Sequence, residues 1–348
     1  MCFGSTAYQI TDLGRVSATS INNSGKIVGV FDTGEASSWG DISHAFLWQD
    51  GVMTDLGALP GDTNSRAMAI NDQGQIVGES IKANNSNARA FIYSGDTMTG
   101  LGAFGGSEDF ARAISNSGQI AGTMYNGAYH AFAWQNGQVT WLGALGGSYR
   151  SCFAYDINNS GQIVGRSTTY GSSDHAFLWH DGQMGDLGTL GPASEWSKAY
   201  GINDLGQVVG ESGGKAFLWQ DSVMKSICSL GIGSSASRIS NRSQVIGTWK
   251  TSDGYYDAKG KWVPTPQSRP FLWEDGVATD INSVIPADAG WFLRYAQDIN
   301  DLGQIVGEGL IDGEAHAYLL TPVAEPSSLI ALLAGLGGLG AVRRPRVG

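Results

Sequence analysis

His44, Arg89, His130, His175, Lys215, Arg269 and His316 hold one place in a recurring phrase, each just before an Ala-Phe or similar pair. Brought into a ring, they would form a circle of donors able to hold an anion. Taken singly, each would hydrogen-bond a neighbouring carbonyl or a turn Asp. The residue types favour this second arrangement, because His, Arg and Lys share donor capacity but not charge at neutral pH. Other chemistry is sparse. His180 is the one His outside the pattern, and no HExxH or phosphate-loop motif occurs. Glu108, Asp109, Glu195, Asp253, Asp257 and Asp288 stand in variable segments. Two of them brought together across a cleft would suit glycosidase acid–base work. The Asn/Asp-rich turns lack the EF-hand pattern and are explained by hairpin geometry. No catalytic residue, metal ligand or cofactor is assigned.

The elements that must position these side chains are written as a repeat. Ile-Asn-x-x-Gly-Gln-Ile-Val-Gly begins at Ile21, Ile70, Ile114, Ile157, Ile202, Ile239 and Ile299, with steps of 49, 44, 43, 45, 37 and 60 residues. This is the period of propeller blades. Each copy holds four short runs rich in β-branched and aromatic residues, bounded by Gly, Asn or Asp. In the second copy these are RAMAIN, GQIVGES, RAFIYS and TMTGLG. Asn71-Asp72-Gln73-Gly74 reads as a tight hairpin turn, as do Asp50-Gly51, Asn136-Gly137 and Asp181-Gly182. Ser243 replaces the turn Gly in the sixth copy, so that turn is expected to be strained or different.

The last copy lacks its fourth strand, and YQITDLG at residues 8 to 14 supplies one. The chain therefore reads as an all-β, seven-bladed β-propeller of four-stranded blades over residues 8–322, closed by the N-terminal strand. An open solenoid would not need this split. The alternation of strands places the tight turns on one face and the variable connections on the other. FDTGEASSWGDIS, TWKTSDGYYDAKGKWVPTPQ and NSVIPADAGWFLR are the long ones, and binding loops concentrate in such places.

The aromatic residues sort in the same way. Trp48, Trp134, Trp179, Trp219 and Trp273 end third strands, and Trp141 lies in a fourth. Trp39, Trp196, Trp249, Trp262 and Trp291, with Tyr255 and Tyr256, fall in or beside the variable connections. Exposed rings there would stack on sugars or anchor a protein partner; the alternative is that they pack over the blade ends.

The 348 residues are 42% hydrophobic, only 15% charged, and include 51 Gly, as expected of a turn-rich β protein. The net charge of −11 argues against a nucleic acid partner. Three Cys, with no CxxC spacing, point to free thiols rather than a disulfide framework.

HAFLW with GQIVG and DLGxLGG resembles the HAF-repeat proteins, a family of extracellular bacterial repeat proteins. His44-Ala45-Phe46, His130-Ala131-Phe132 and His175-Ala176-Phe177 carry the likeness, as do Leu142 to Ser148 and Leu187 to Ala193, and it covers residues 8 to 320. The resemblance implies export and supplies no reaction. Residues 323–348 resemble a PEP-CTERM sorting signal: Glu325-Pro326, an apolar stretch from Leu329 to Val342, then Arg343, Arg344 and Arg346, with Ala324 in place of the first Pro. At about 21 Å as a helix, that stretch is short for a bilayer span. An exosortase-type enzyme would be the partner that cuts near Pro326, after transient membrane contact through residues 329–342. The opening MCFGSTAYQITDLG lacks the basic start and apolar core of an export signal, so the true start is expected upstream.

The expected function is that of an exported, non-enzymatic binding or structural protein of a Gram-negative cell surface or exopolysaccharide matrix. Its partners would be a polysaccharide or a surface protein. Two alternatives stand beside it. One is a carbohydrate-active enzyme using loop carboxylates, the other a protein-interaction scaffold.

Overall fold

The computed structural model describes residues 7–323, apart from 39, 84–86, 103, 147–150, 172, 193–194, 257–261 and 265–266. For 254–256 and 262–264 only the backbone is described. Trp39, Asp257 and the sorting-signal residues Glu325, Pro326, Arg343 and Arg344 lie outside the described residues, as do 329–342.

Seven four-stranded antiparallel sheets make a closed β-propeller. Blade four shows the plan: Cys152–Ile157, Ile163–Thr168, Asp174–His180 and Gln183–Gly188 pair in chain order. Blade seven breaks it as the repeat count requires. Trp291–Ile299, Ile305–Ile311 and Glu314–Pro322 come from the C-terminal part, and Tyr8–Gly14 forms the outer strand. Tyr8 stands opposite Pro322 and Asp12 opposite Tyr318. His316 Nδ1 meets the Asp12 carboxylate at 3.0 Å, and Arg15 pairs with Glu314. Tyr8 is buried with Ile281, Leu293, Tyr318 and Leu320, so the ring is fastened by a core as well as a ladder.

The Ile-Val dipeptide of each second strand explains why that strand is a continuous apolar run rather than an alternation. Its two side chains point to opposite faces, and both faces are covered. Ile163 packs with Ala113 and Ala121 of blade three, whereas Val164 packs with Ala199 and Val208 of blade five.

The Gly that follows Ile-Val has a steric cause. Every first strand carries a register shift just after its invariant Ala, between Ala154 and Asp156 in blade four. This brings the carbonyl of the preceding residue over the second strand. A Cβ added to Gly165 would lie 1.8 Å from the Phe153 carbonyl oxygen and 2.9 Å from the Phe177 ring. The matching Gly in each of the other blades meets the same carbonyl at 2.0–2.4 Å.

The Asn and Gln of the phrase also have assigned work. Asn203 Oδ1 accepts from the Leu205 and Gln207 amides, while Nδ2 donates to Gln207 Oε1 at 2.7 Å and to the Ser240 carbonyl of the next blade at 3.0 Å. Asn71, Asn158, Asn300 and Asn22 make the same inter-blade bond. In blades three and six Ser115 and Ser240 hold the place, and their hydroxyls accept within the turn. The following residue forms a second ring. The amide of Asn23 donates to Asp72 Oδ1, Asp72 to Asn116, Asn116 to Asn159, Asn159 to Asp204, Asp204 to Asn241, Asn241 to Asp301, and Asp301 back to Asn23, at 2.7–2.9 Å.

The structure resolves one expectation and corrects another. Ser243 adopts the same left-handed conformation (φ 61°) as the turn glycines, so the sixth turn is strained but not different. FDTGEASSWGDIS is no loop: Ile27–Ser37 and Gly40–Gln49 continue as an extended hairpin, because the residues beyond the blade keep pairing. The long blade-six insertion likewise carries a short hairpin, Gly254–Tyr256 against Trp262–Pro264.

Gly165→Ala is expected to destabilise the fold by about 3 kcal/mol or more, because the obstructing atom is backbone and cannot move aside. Asn203→Ala is expected to cost about 3 kcal/mol by orphaning buried groups. Asn203→Ser should cost roughly 1 kcal/mol, since the hydroxyl keeps the turn bonds. Equilibrium unfolding in denaturant checks all three.

Candidate functional site in the central channel

The inner strands line a channel whose two mouths differ. At the tight-turn mouth the Asn/Asp ring satisfies itself. Asp72 Oδ2 accepts from the side-chain amides of Asn23 and Asn116, Asp204 Oδ2 from Asn159 and Asn241, and Asp301 Oδ2 from Asn23 and Asn241, at 2.8–3.1 Å. Each carboxylate is held by three donors, so this mouth is a finished structural collar.

Deeper in, the residue before each repeat Ile varies: Ser20, Ala69, Ala113, Asp156, Gly201, Arg238, Asp298. The small members leave room for the charged ones. Asp298 accepts from the Ser20 hydroxyl at 2.7 Å and the Ile21 amide at 2.9 Å, and Arg238 Nε lies 3.9 Å away. Asp156 bridges the Ile157 and Ile202 amides at 2.9 and 3.0 Å, so each carboxylate staples its blade to the next. Arg238 donates to the carbonyls of Tyr200 and Ser237. Burial pushes the Asp156 carboxyl up to about 6, opposed by the Arg238 charge and the two amides. Asp298 is raised for the same reason, with Arg238 again opposing.

At the variable-connection mouth, rings and cations interleave across blades three, four and five. Tyr129 meets Phe153 at 4.4 Å between ring centroids, Phe153 stacks with Tyr155 at 6.3 Å, and Tyr155 meets Tyr200 at 5.5 Å. Arg166 lies 4.0 Å over Phe153, donates to the Tyr155 hydroxyl at 2.8 Å and pairs with Asp174. Arg112 lies 4.9 Å over Phe110, and Lys198 lies 5.0 Å over Trp196. Burial raises both the Tyr155 and Tyr200 phenols, and Arg112 acts electrostatically on Tyr155.

The seven basic side chains of the Ala-Phe phrase lie on third strands, and most meet a carboxylate. His44, His175, His316 and Arg269 meet Asp55, Asp186, Asp12 and Asp280 at 2.8–3.1 Å. Arg89 instead takes Asp62, at 2.7 Å. In blade three Trp141 stands where the Asp would be, and His130 meets its ring edge-on at 6.3 Å. Lys215 is exposed, with Ser226 at the Asp position of its blade.

Among the loop aromatics, Trp196 is 37% exposed at the mouth just described. Trp249 packs within the core of blades five and six. Trp291 packs edge-on against His316 and Tyr318. Tyr255, Tyr256 and Trp262 belong to the blade-six hairpin, with Tyr256 opposite Trp262. Of the carboxylates, Asp109 is buried, its Oδ1 has no hydrogen-bond partner, and burial raises its carboxyl. Among the described residues no group of three or more His, Cys, Asp or Glu could hold a metal. The Phe153–Tyr155–Tyr200 run and the Asp156–Arg238–Asp298 group were not picked out from the sequence.

No family model and no curated protein matches the chain. Solved structures do resemble it in shape. A Mycobacterium tuberculosis puromycin-hydrolyzing peptidase superposes with a TM-score of 0.55 at 9% identity, over 85% of this chain and 50% of its own. A structure from a study of two prolyl endopeptidases gives 0.55 at 9%, over 92% and 51%. YCF48 from Cyanidioschyzon merolae gives 0.50 at 9%, over 90% and 99%. The chain spans about half the length of the two peptidase structures, and at these identities the likeness is one of fold.

The Asp156 shift has a definite sign. Its carboxyl binds a proton more tightly folded than unfolded, so stability is gained as pH falls through about 6 and lost as pH rises. Asp156→Asn should therefore flatten the decline in Tm between pH 4 and pH 7 relative to the parent, as thermal melts across that range will show.

Proposed function

We propose that this chain is an exported, non-enzymatic binding protein of a bacterial surface or exopolysaccharide matrix, holding saccharide chains at the variable-connection mouth of its channel. One observation carries the reading: the half-buried rings of Tyr129, Phe153, Tyr155 and Tyr200 touch in succession across three blades. The C–H faces of pyranose rings pack on such surfaces, and a closed propeller fixes the rings in advance. Resemblance to HAF-repeat proteins and to a PEP-CTERM tail supports export, with an exosortase-type enzyme as the processing partner.

A second reading, a carbohydrate-active enzyme, is favoured by Asp109, whose raised carboxyl and unbonded oxygen suit a general acid.

Binding of the full-length chain to bacterial exopolysaccharide, with released sugars quantified, separates the two. Binding without release is expected, and Tyr200→Ala should weaken it about tenfold. Sugar release that stops in Asp109→Asn would establish the enzyme instead. Neither binding nor release would remove both readings in favour of a protein scaffold.

A further inference from the structure

Two cations of the variable-connection mouth, Arg112 and Lys198, rest on ring faces and form no ion pair among the described residues. Arg66, Arg89, Arg166 and Arg269 each have a carboxylate partner. Arg112 has none: its contact is the face of Phe110, and it sits one strand away from Tyr155. Lys198 rests on Trp196 and stands across the ladder from Glu211, whose charged form it favours, with no ion pair between the two among the described residues. Five cation–aromatic contacts occur among the described residues, an ordinary number for this length, but the placement is not ordinary. Three of the five lie on blades three, four and five, the blades that carry the run of touching rings. A ring face gives a cation a place to rest without neutralising it, so the charge remains available to a ligand.

We infer that the saccharide bound at this mouth carries carboxylates: a polyuronate-type acidic chain. Its sugar rings stack on Phe153, Tyr155 and Tyr200, and its carboxylates take Arg112 and Lys198. This rests on the saccharide-binding reading and narrows it. A neutral glycan would leave the half-buried Arg112 without an anionic partner, whereas a carboxylate supplies oxygen acceptors for it and for Lys198. A nucleic acid shares the ring-and-anion chemistry. Net charge does not separate the two polyanions, so the choice of sugar rests on the saccharide-binding reading and the oligothymidine arm of the test decides it.

The test uses the full-length protein with oligogalacturonate hexamers and their methyl esters, titrated calorimetrically at low salt. The free acid is expected to bind about tenfold more tightly than the ester. Arg112→Gln or Lys198→Gln should each reduce that preference, weakening the acid more than the ester. Both are half-buried rather than core, so folding should survive. Equal affinity for acid and ester, lost together in Tyr200→Ala, would overturn the acidic assignment and keep the saccharide reading. Absence of binding to either would overturn both. Displacement of the acid hexamer by an equal concentration of single-stranded oligothymidine would overturn the assignment in favour of nucleic acid.

Discussion

The side-chain amide that leaves one blade for the carbonyl of the next is the interaction on which this architecture depends. A four-stranded sheet of this size cannot bury its faces alone, and each blade obtains its core by lying against its neighbours. Apolar contact fixes the distance between blades but not their angle. The buried Asn of the Ile-Asn turn fixes both, because its oxygen caps its own hairpin while its nitrogen reaches across. The following Asn or Asp then closes a complete circuit of seven amide-to-side-chain bonds. An odd ring cannot alternate acid and amide throughout. The neighbouring pair Asn116 and Asn159 is where this one places the unavoidable repeat, keeping every carboxylate between two amides.

The same circuit explains the asymmetry of the channel. Polar groups at the tight-turn mouth are consumed in joining blades, so that end has little capacity left for a ligand. The blade-joining Asp156 and Asp298 extend this work inward at a cost, since two buried carboxylates share a single Arg238. Past the strand shift that follows the invariant Ala the joining is lighter, although Thr19 and Ser237 still donate to carbonyls of the next blade. There the residue types diverge from blade to blade, and there rings and cations collect.

The fold was legible because it is written as repetition. Strand count, turn positions and the transfer of Tyr8–Gly14 to the last blade all follow from aligning the copies. The site was less legible, because attention to unusual loops favours long insertions. Trp249 and Trp291 stand near such insertions yet pack into blades, and the supposed loop after Val30 is paired strand. A better signal lay within the repeat. The column holding Thr19, Met68, Arg112, Tyr155, Tyr200, Ser237 and Gln297 varies without restraint beside a column that is Ala in every blade. Variation next to invariance inside one strand marks the backbone shift, where side chains leave the inter-blade core for the channel. Tyr155 and Tyr200 meet because blades four and five are neighbours, but the repeat spacing does not show which way the side chains of this column turn.

A protein of net charge −11 is an odd host for an acidic ligand until the range of the forces is considered. At physiological salt the screening length is about 8 Å, so carboxylates spread over a wide surface act weakly on a chain already seated at the mouth. Contact partners dominate there, and those are Arg112 and Lys198 over their rings. Had each cation been given a carboxylate, as Arg166 has Asp174, the mouth would be electrostatically complete and selective for nothing charged. Aromatic support in place of ion pairing leaves Arg112 with no carboxylate partner among the described residues at that mouth. Distant repulsion and close attraction then act on the same ligand, and the first is removed by salt more readily than the second.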